Sequence, residues 1–247
     1  MPVLDTGRVP RYAGWSAYAS AGLAVISTVS LFLFYALEVP RSIATGGASP
    51  QIFGTLNDVT GLFGLAFQLP LTVALHQLAP PRKQGLSRVA MALGIVGILT
   101  LVLAQALLVA QVIRFEVNLP VVMAALVLLG TWMVLANHLV RVAGTLPPRL
   151  GWLGEFAGTL FVLLGGLVLL LVTAGSGNPS AAANVGTFIQ QSPLILGAVI
   201  VLAVAAFLAL SFGQLIWLLW LGRRLLAIAV VAPRQSDRRP AHAGAPR

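Results

Sequence analysis

Gly54-Thr55-Leu56-Asn57-Asp58-Val59-Thr60-Gly61-Leu62-Phe63-Gly64 sets an amide and a carboxylate side by side within a run of apolar and small residues. Polar or small residues recur at Gly54, Asn57, Gly61, Gly64 and Gln68, at offsets of 3, 4, 3 and 4. That spacing places all five on one stripe of an α-helix. Leucine, phenylalanine and valine occupy the remaining faces. A helix that is apolar outward and small or polar along one stripe suits a bilayer, where small residues let backbones approach and amides hydrogen-bond across the contact.

The rest of the chain agrees with this reading. Of its 247 residues, 58% are hydrophobic and 9% are charged, and the mean hydropathy is +0.95. Soluble domains carry about a quarter charged residues, so this surface has too little charge to face water. Six segments are long enough to cross a hydrocarbon core, which takes about 20 apolar residues as helix. They fall at 14–37, 51–78, 87–113, 119–141, 151–174 and 194–222. The predicted architecture is therefore all-α, a polytopic bundle of six transmembrane helices. It divides into an N-terminal tail (1–13), a membrane domain (14–232) and a basic tail (233–247) whose Pro, Arg and Ala content predicts disorder. The first apolar run exceeds the 7–15 residues or so of a signal-peptide core and is read as a retained helix.

Prolines punctuate the spans, because proline lacks a donor and cannot continue the helix behind it. Pro40 follows the first, Pro80-Pro81 the second and Pro147-Pro148 the fourth, while Asn118 and Pro120 mark the turn after the third. Pro70, two residues beyond Gln68, predicts a kink inside the second span. The absence of cysteine excludes disulfides, thiolate nucleophiles and cysteine-ligated metals.

The net charge of +9 is distributed as membrane topology rather than as a nucleic-acid surface. Thirteen of the fifteen Lys and Arg residues lie on the side that bears both termini; Arg41 and Arg114 lie opposite. The positive-inside rule makes both termini cytoplasmic. Arg223, Arg224 and the tail arginines would then lie against anionic headgroups. Trp15, Trp152, Trp217 and Trp220 fall near the cytoplasmic helix ends as interfacial anchors, and Trp132 falls mid-span as packing.

Polar side chains within the spans need protein partners or water. Position accounts for most of them. Glu38 with Arg41 and Arg114 with Glu116 are expected to pair in headgroup water, and Glu155 lies near Arg149 close to an interface. Asp58 is different. It lies roughly 10 Å along its helix at 1.5 Å per residue, where a charge costs on the order of 2.5–3.5 kcal/mol at mid-membrane and less near the edge. It borders the polar stripe and should point into the bundle. Gln105 on the third helix, and Ser27, Thr28, Ser30 and Tyr35 on the first, lie at a matching depth. The candidate intramembrane cluster is therefore Tyr35, Asn57, Asp58, Gln68 and Gln105. Two readings follow: a structural acid tying helices one to three together, or a proton- or cation-responsive group in an outward-facing cavity. The structural reading leads, because no second acid or base lies deep in another span.

His76 and His138 lie at similar depth on different helices and could in principle ligate a haem; as interfacial histidines they need no such role. No P-loop, HExxH, GxSxG or paired acid–histidine arrangement is present, so no catalytic or metal residue and no cofactor is assigned. Gly94 with Gly97, and Gly165-Gly166, read as helix contacts.

Phe53-Gly54-Thr55-Leu56-Asn57-Asp58, Leu75-His76-Gln77-Leu78 ahead of Pro80-Pro81, and Leu146-Pro147-Pro148-Arg149-Leu150-Gly151-Trp152-Leu153-Gly154 resemble uncharacterised bacterial multi-pass membrane proteins of a domain-of-unknown-function type, over most of residues 12–230. The resemblance implies a helix bundle in the bacterial plasma membrane. It supplies no activity, cofactor or catalytic residue.

Three functional classes follow. A non-enzymatic structural, accessory or sensory subunit comes first, with the bilayer as its environment and a membrane-protein partner or a second copy as further candidates. A small transporter or ion-coupled permease built on Asp58 comes second, and a haem carrier or membrane enzyme last.

Overall fold

The computed structural model describes residues 8–45, 51–177 and 211–230. These are helical, and no strand occurs among them. Six stretches are long and apolar enough to cross a membrane: Val9–Ala44, Ile52–Leu78, Pro81–Val109, Val117–Val142, Pro148–Leu170 and Ser211–Val230. The expected polytopic all-α architecture is thus the one observed.

The first span is longer than the sequence indicates. Helix α1 (Arg8–Leu33) passes through a π-helical turn, Phe34–Glu38, into a short α2 (Val39–Ala44). Pro40 does not end the helix. It comes just after the π-helical turn, and the helix runs through it into α2. The second span is broken in two, α3 (Ile52–Ala66) and α4 (Leu69–Leu78), with Phe67 and Gln68 between them and Pro70 opening α4. A 3₁₀ turn at Pro81–Lys83 leads into α5 (Gln84–Val109), followed by α6 (Phe115–Val142) and α7 (Pro148–Gly177).

Asn118 and Pro120 fall inside α6 and not in the turn before it. That turn is made instead by Gln111, at φ 57°, with Val112 N–H donating to Leu107 O and Gln111 N–H to Leu108 O. Helix α6 ends in the same way: Gly144 stands at φ 67°, Thr145 N–H donates to Val140 O and Gly144 N–H to Arg141 O. Both ends are Schellman caps, which require a left-handed residue that glycine adopts most easily.

The last described helix is α8, Ser211–Val230. The first part of its predicted span, 194–210, lies outside the described residues, as do the connection beyond Gly177 and the tail. Its C-terminal end runs beyond the predicted 222 and carries Arg223 and Arg224, both exposed.

Helix α1 lies along α3 and α4, these lie against α5, α5 against α6, and α6 against α7. Helix α8 closes the bundle between α1 and α6. A Cβ on Gly222 would stand 3.0 Å from Gly14 O, while the α8 side chain Trp217 meets Trp132 of α6 edge-on at 6.2 Å. Trp132, Trp217, Met133, Leu129, Leu71, Ile98 and Leu221 form the fully buried centre. Trp132 is core, as predicted, and fits because Gly94 has no side chain; a Cβ there would lie 2.7 Å from the indole. Trp217, expected at the headgroups, is wholly buried, and its indole N–H donates to Asn137 Oδ1 at 2.9 Å. Burial of the ring and a satisfied N–H outweigh an interfacial position. Trp15 and Trp152 are exposed, as anchors would be.

Candidate polar site between α1, α3 and α8

Interrupting a helix in the membrane orphans backbone groups, and the break at Phe67-Gln68 does so specifically. Gln68 N–H bonds Leu65 O instead of Gly64 O, and Leu71 N–H bonds Gln68 O instead of Phe67 O. The two abandoned carbonyls are each taken by a hydroxyl of α1. Ser20 Oγ donates to Gly64 O at 2.8 Å, and Ser16 Oγ donates to Phe67 O. Ser16 and Ser20 are one helical turn apart, so they face the break together. Two turns further along the same face, Ser27 Oγ donates to Asn57 Oδ1 at 2.7 Å.

The stripe predicted on α3 faces α1 throughout. A Cβ on Gly54 would meet the Phe34 ring at 3.1 Å, one on Gly61 would meet Ser27 Oγ at 3.6 Å, and one on Gly64 would meet Leu23 Cβ at 3.5 Å. Asn57 sits between two partners: its Oδ1 accepts from Ser27 and its Nδ2 donates to Asp58 Oδ1 at 3.1 Å. Asp58 is partly buried; Asn57 is its hydrogen-bond partner, and the Gln105 side chain of α5 stands near its carboxyl group. Ser27, Asn57 and Asp58 are thus joined by side-chain hydrogen bonds, with Gln105 close to the carboxyl end of the row.

Two members of the predicted cluster stand elsewhere. Tyr35 is 63% exposed and packs edge-on against Phe34, at 5.2 Å between ring centres. Phe34, two turns after Ser27, holds the face toward α3, and the next residue is turned about 100° away from it. Gln68 is buried but lies at the helix break, roughly 15 Å of helix from Asp58 by rise per residue, and its Oε1 meets Gln214 Nε2 of α8 at 3.5 Å.

A cavity of about 450 Å³ opens between α1, α3 and α8, with Asn57, Gln68 and Gln214 among its polar walls. Asp58 does not line it.

Other polar groups also depart from their expected partners. Glu38 does not pair with Arg41. It is buried and accepts two backbone donors from the first turn of α3, Phe53 N–H at 2.8 Å and Gly54 N–H at 3.1 Å. Those donors have no partner within their own helix, and the positive end of the helix dipole favours a carboxylate there. Glu155 pairs with Arg141 and not with Arg149. Arg141 Nε and Nη2 reach its two oxygens at 2.7 and 3.2 Å, and the guanidinium lies 4.1 Å over the Trp152 ring. His138 joins this group, with Nδ1 3.2 Å from Arg141 Nη2, whereas His76 Nδ1 meets Ser87 Oγ at 2.7 Å between α4 and α5. Each histidine therefore has its own local partner. The Glu116 side chain lies outside the described residues. No group of three or more His, Asp or Glu residues able to hold a metal occurs among the described residues.

Sequence reading missed Ser16, Ser20 and Gln214. The serines had a visible signal, since Ser16, Ser20 and Ser27 repeat at offsets of 4 and 7 and so share one face. Comparison with family models, curated proteins and solved structures returned no match for this chain.

Proposed function

We propose that the protein is a non-enzymatic membrane subunit of accessory or sensory type, in which Asp58 fastens helices and does not carry ions. One observation supports this reading most: the carboxylate accepts from the Asn57 side chain, stands near Gln105 of α5, and does not line the cavity. A group on an ion path would line the accessible space; Asp58 instead completes a chain of contacts from Ser27 through Asn57 to α5. A hydrogen-bonded acid between helices is compatible with the cost of placing a carboxyl in the membrane.

The finer reading extends to location. We place the chain in a bacterial plasma membrane with both termini cytoplasmic. The charge asymmetry supports this orientation, and the resemblance to bacterial multi-pass proteins supports the membrane. The exposed Arg223 and Arg224 would then meet anionic headgroups. Because the chain has no cysteine, single substitutions report orientation directly. Ser236→Cys should react with an impermeant maleimide only after the membrane is opened, and Ser49→Cys should react in intact cells. The reverse pattern would invert the topology.

Asp58→Asn and Asp58→Leu test the assignment of Asp58. Asparagine keeps an acceptor oxygen and removes the charge, so it should melt close to wild type in detergent; leucine should melt several degrees lower. In proteoliposomes with a pH-sensitive dye, wild type and Asp58→Asn should behave alike. A proton or cation flux in wild type that Asp58→Asn abolishes would replace this reading with the ion-coupled permease.

A further inference from the structure

The cavity itself has a chemistry that the helix ties do not explain. We propose that it is a binding site for an uncharged lipophile with a carbonyl or hydroxyl head, the head resting on Gln68 and Gln214 and the apolar body lying against Phe32 and Phe212. Its volume of about 450 Å³ is that of a small-molecule site, which runs from roughly 300 to 1,000 Å³.

The walls select for neutrality. Among the described residues that line it, no side chain carries a charge, so an ion entering would lose its hydration without gaining a counter-charge from them. The walls nevertheless hold hydrogen-bonding capacity deep inside. Gln68 is 3% exposed, and its contact with Gln214 is a single bond at 3.5 Å, the outer limit of such a bond. Two primary amides offer four N–H donors and two carbonyl acceptors between them. One long bond leaves most of these for a bound head group.

Placement supports the same reading. Gln68 occupies the break between α3 and α4, and interrupted helix in a membrane is tolerated where it is buried in protein or lines a cavity. Half-helices meeting at a polar cavity are a recurring way of building substrate sites in membrane proteins. The mouth is apolar: Val25, Val29, Phe32 and Phe212 line it and are between 44% and 58% exposed. They lie on faces turned away from the bundle, so the entry route is from the acyl chains.

The test uses the full-length purified protein in detergent and four probes of comparable apolar size. Two are neutral, a decyl-substituted benzoquinone with a carbonyl head and 1-decanol with a hydroxyl head. Two are charged controls, decanoate and decyltrimethylammonium. At least one neutral probe should raise the melting temperature saturably by several degrees, because a ligand that binds only the folded state stabilises it by mass action. The charged probes should not. Which neutral probe acts identifies the head group. Gln214→Leu should weaken apparent affinity about tenfold, the effect of losing one good hydrogen bond. Ala24→Phe, which fills the cavity from α1, should remove the shift and keeps the test decisive if the glutamine variant does not fold. No saturable shift with either neutral probe, equal shifts with charged ones, or a full shift in the Ala24→Phe protein would overturn the proposal. None of these results depends on whether Asp58 carries ions.

Discussion

Helix α1 meets α3 and α4 through hydroxyls, whereas α7 meets α6 chiefly through glycines, with one ion pair, Arg141 to Glu155, toward one end. Along the first contact, Ser16, Ser20 and Ser27 donate to Phe67 O, Gly64 O and the Asn57 side chain. Along the second, Gly151, Gly154, Gly158 and Gly165 of α7 lie against Arg141, Asn137, Gly130 and Met123 of α6 in antiparallel register. A Cβ on Gly158 would stand 2.6 Å from Gly130 O, and one on Gly130 would stand 2.5 Å from Gly158 O. Lipid gives helices little hydrophobic reason to associate, so contact must come from close packing or from polar bonds. Close packing needs two continuous helices. Polar bonds can hold a broken one, and the break and the cavity both lie on the polar side.

The two seams should fail in different ways. The largest effect is expected in the glycine seam, where the obstacle to a new methyl is backbone. Gly158→Ala should cost about 3 kcal/mol, the upper end for overpacking, read by reversible unfolding in mixed micelles. A loss below about 1 kcal/mol would mean that α6 and α7 are less tightly joined than described.

Two tryptophans offer a comparison with ring size held constant. Trp217 N–H is bonded to Asn137, whereas Trp132 Nε1 is buried with no partner among the described residues. Trp217→Phe strands the Asn137 oxygen, and Trp132→Phe removes an unpaired donor. The first should therefore be less stable than the second by about 2 kcal/mol, within the usual penalty for an unsatisfied buried group. Equal losses would show that the indole bond contributes nothing.

Removing both hydroxyls at the break, with Ser16→Ala and Ser20→Ala, should cost about 1 kcal/mol in all, because hydrogen bonds between membrane helices average about 0.6 kcal/mol. The smallest effect belongs to the helix ends. Gln111→Gly should stabilise by about 0.5–1 kcal/mol and Gly144→Ala should destabilise by a similar amount, since both positions are left-handed. A shift of the same sign in both would rule out matched caps.

Much of this arrangement is legible in the sequence because the membrane restricts the alternatives. Hydropathy and length locate the crossings, and the spacing of Gly54, Asn57, Gly61 and Gly64 identifies the face that meets α1. Pro70 marks the break to within three residues. What sequence could not supply is direction beyond one helix. Depth alone groups Tyr35 with Asp58, but Phe34 beside it is the residue that meets α3, at Gly54, and Tyr35 lies about 100° around the helix from that face. Glu38 has Arg41 three residues away, yet the first-turn amides of α3 suit its carboxylate better, and they come from a distant segment. Trp217 looks like an interfacial anchor until the position of Asn137, eighty residues away, is known. Local periodicity records which face is polar; it does not record what that face meets.

Cross-linking tests the polar seam most directly. The chain is free of cysteine, and a Cβ on Gly64 would lie 3.5 Å from Leu23 Cβ, within the range of about 3.5–4.5 Å that a disulfide spans. Leu23→Cys with Gly64→Cys should oxidise rapidly and nearly completely in native membranes, while Tyr35→Cys with Asp58→Cys should remain reduced. Efficient bonding of the second pair with none of the first would contradict the seating of α1 on the broken helix.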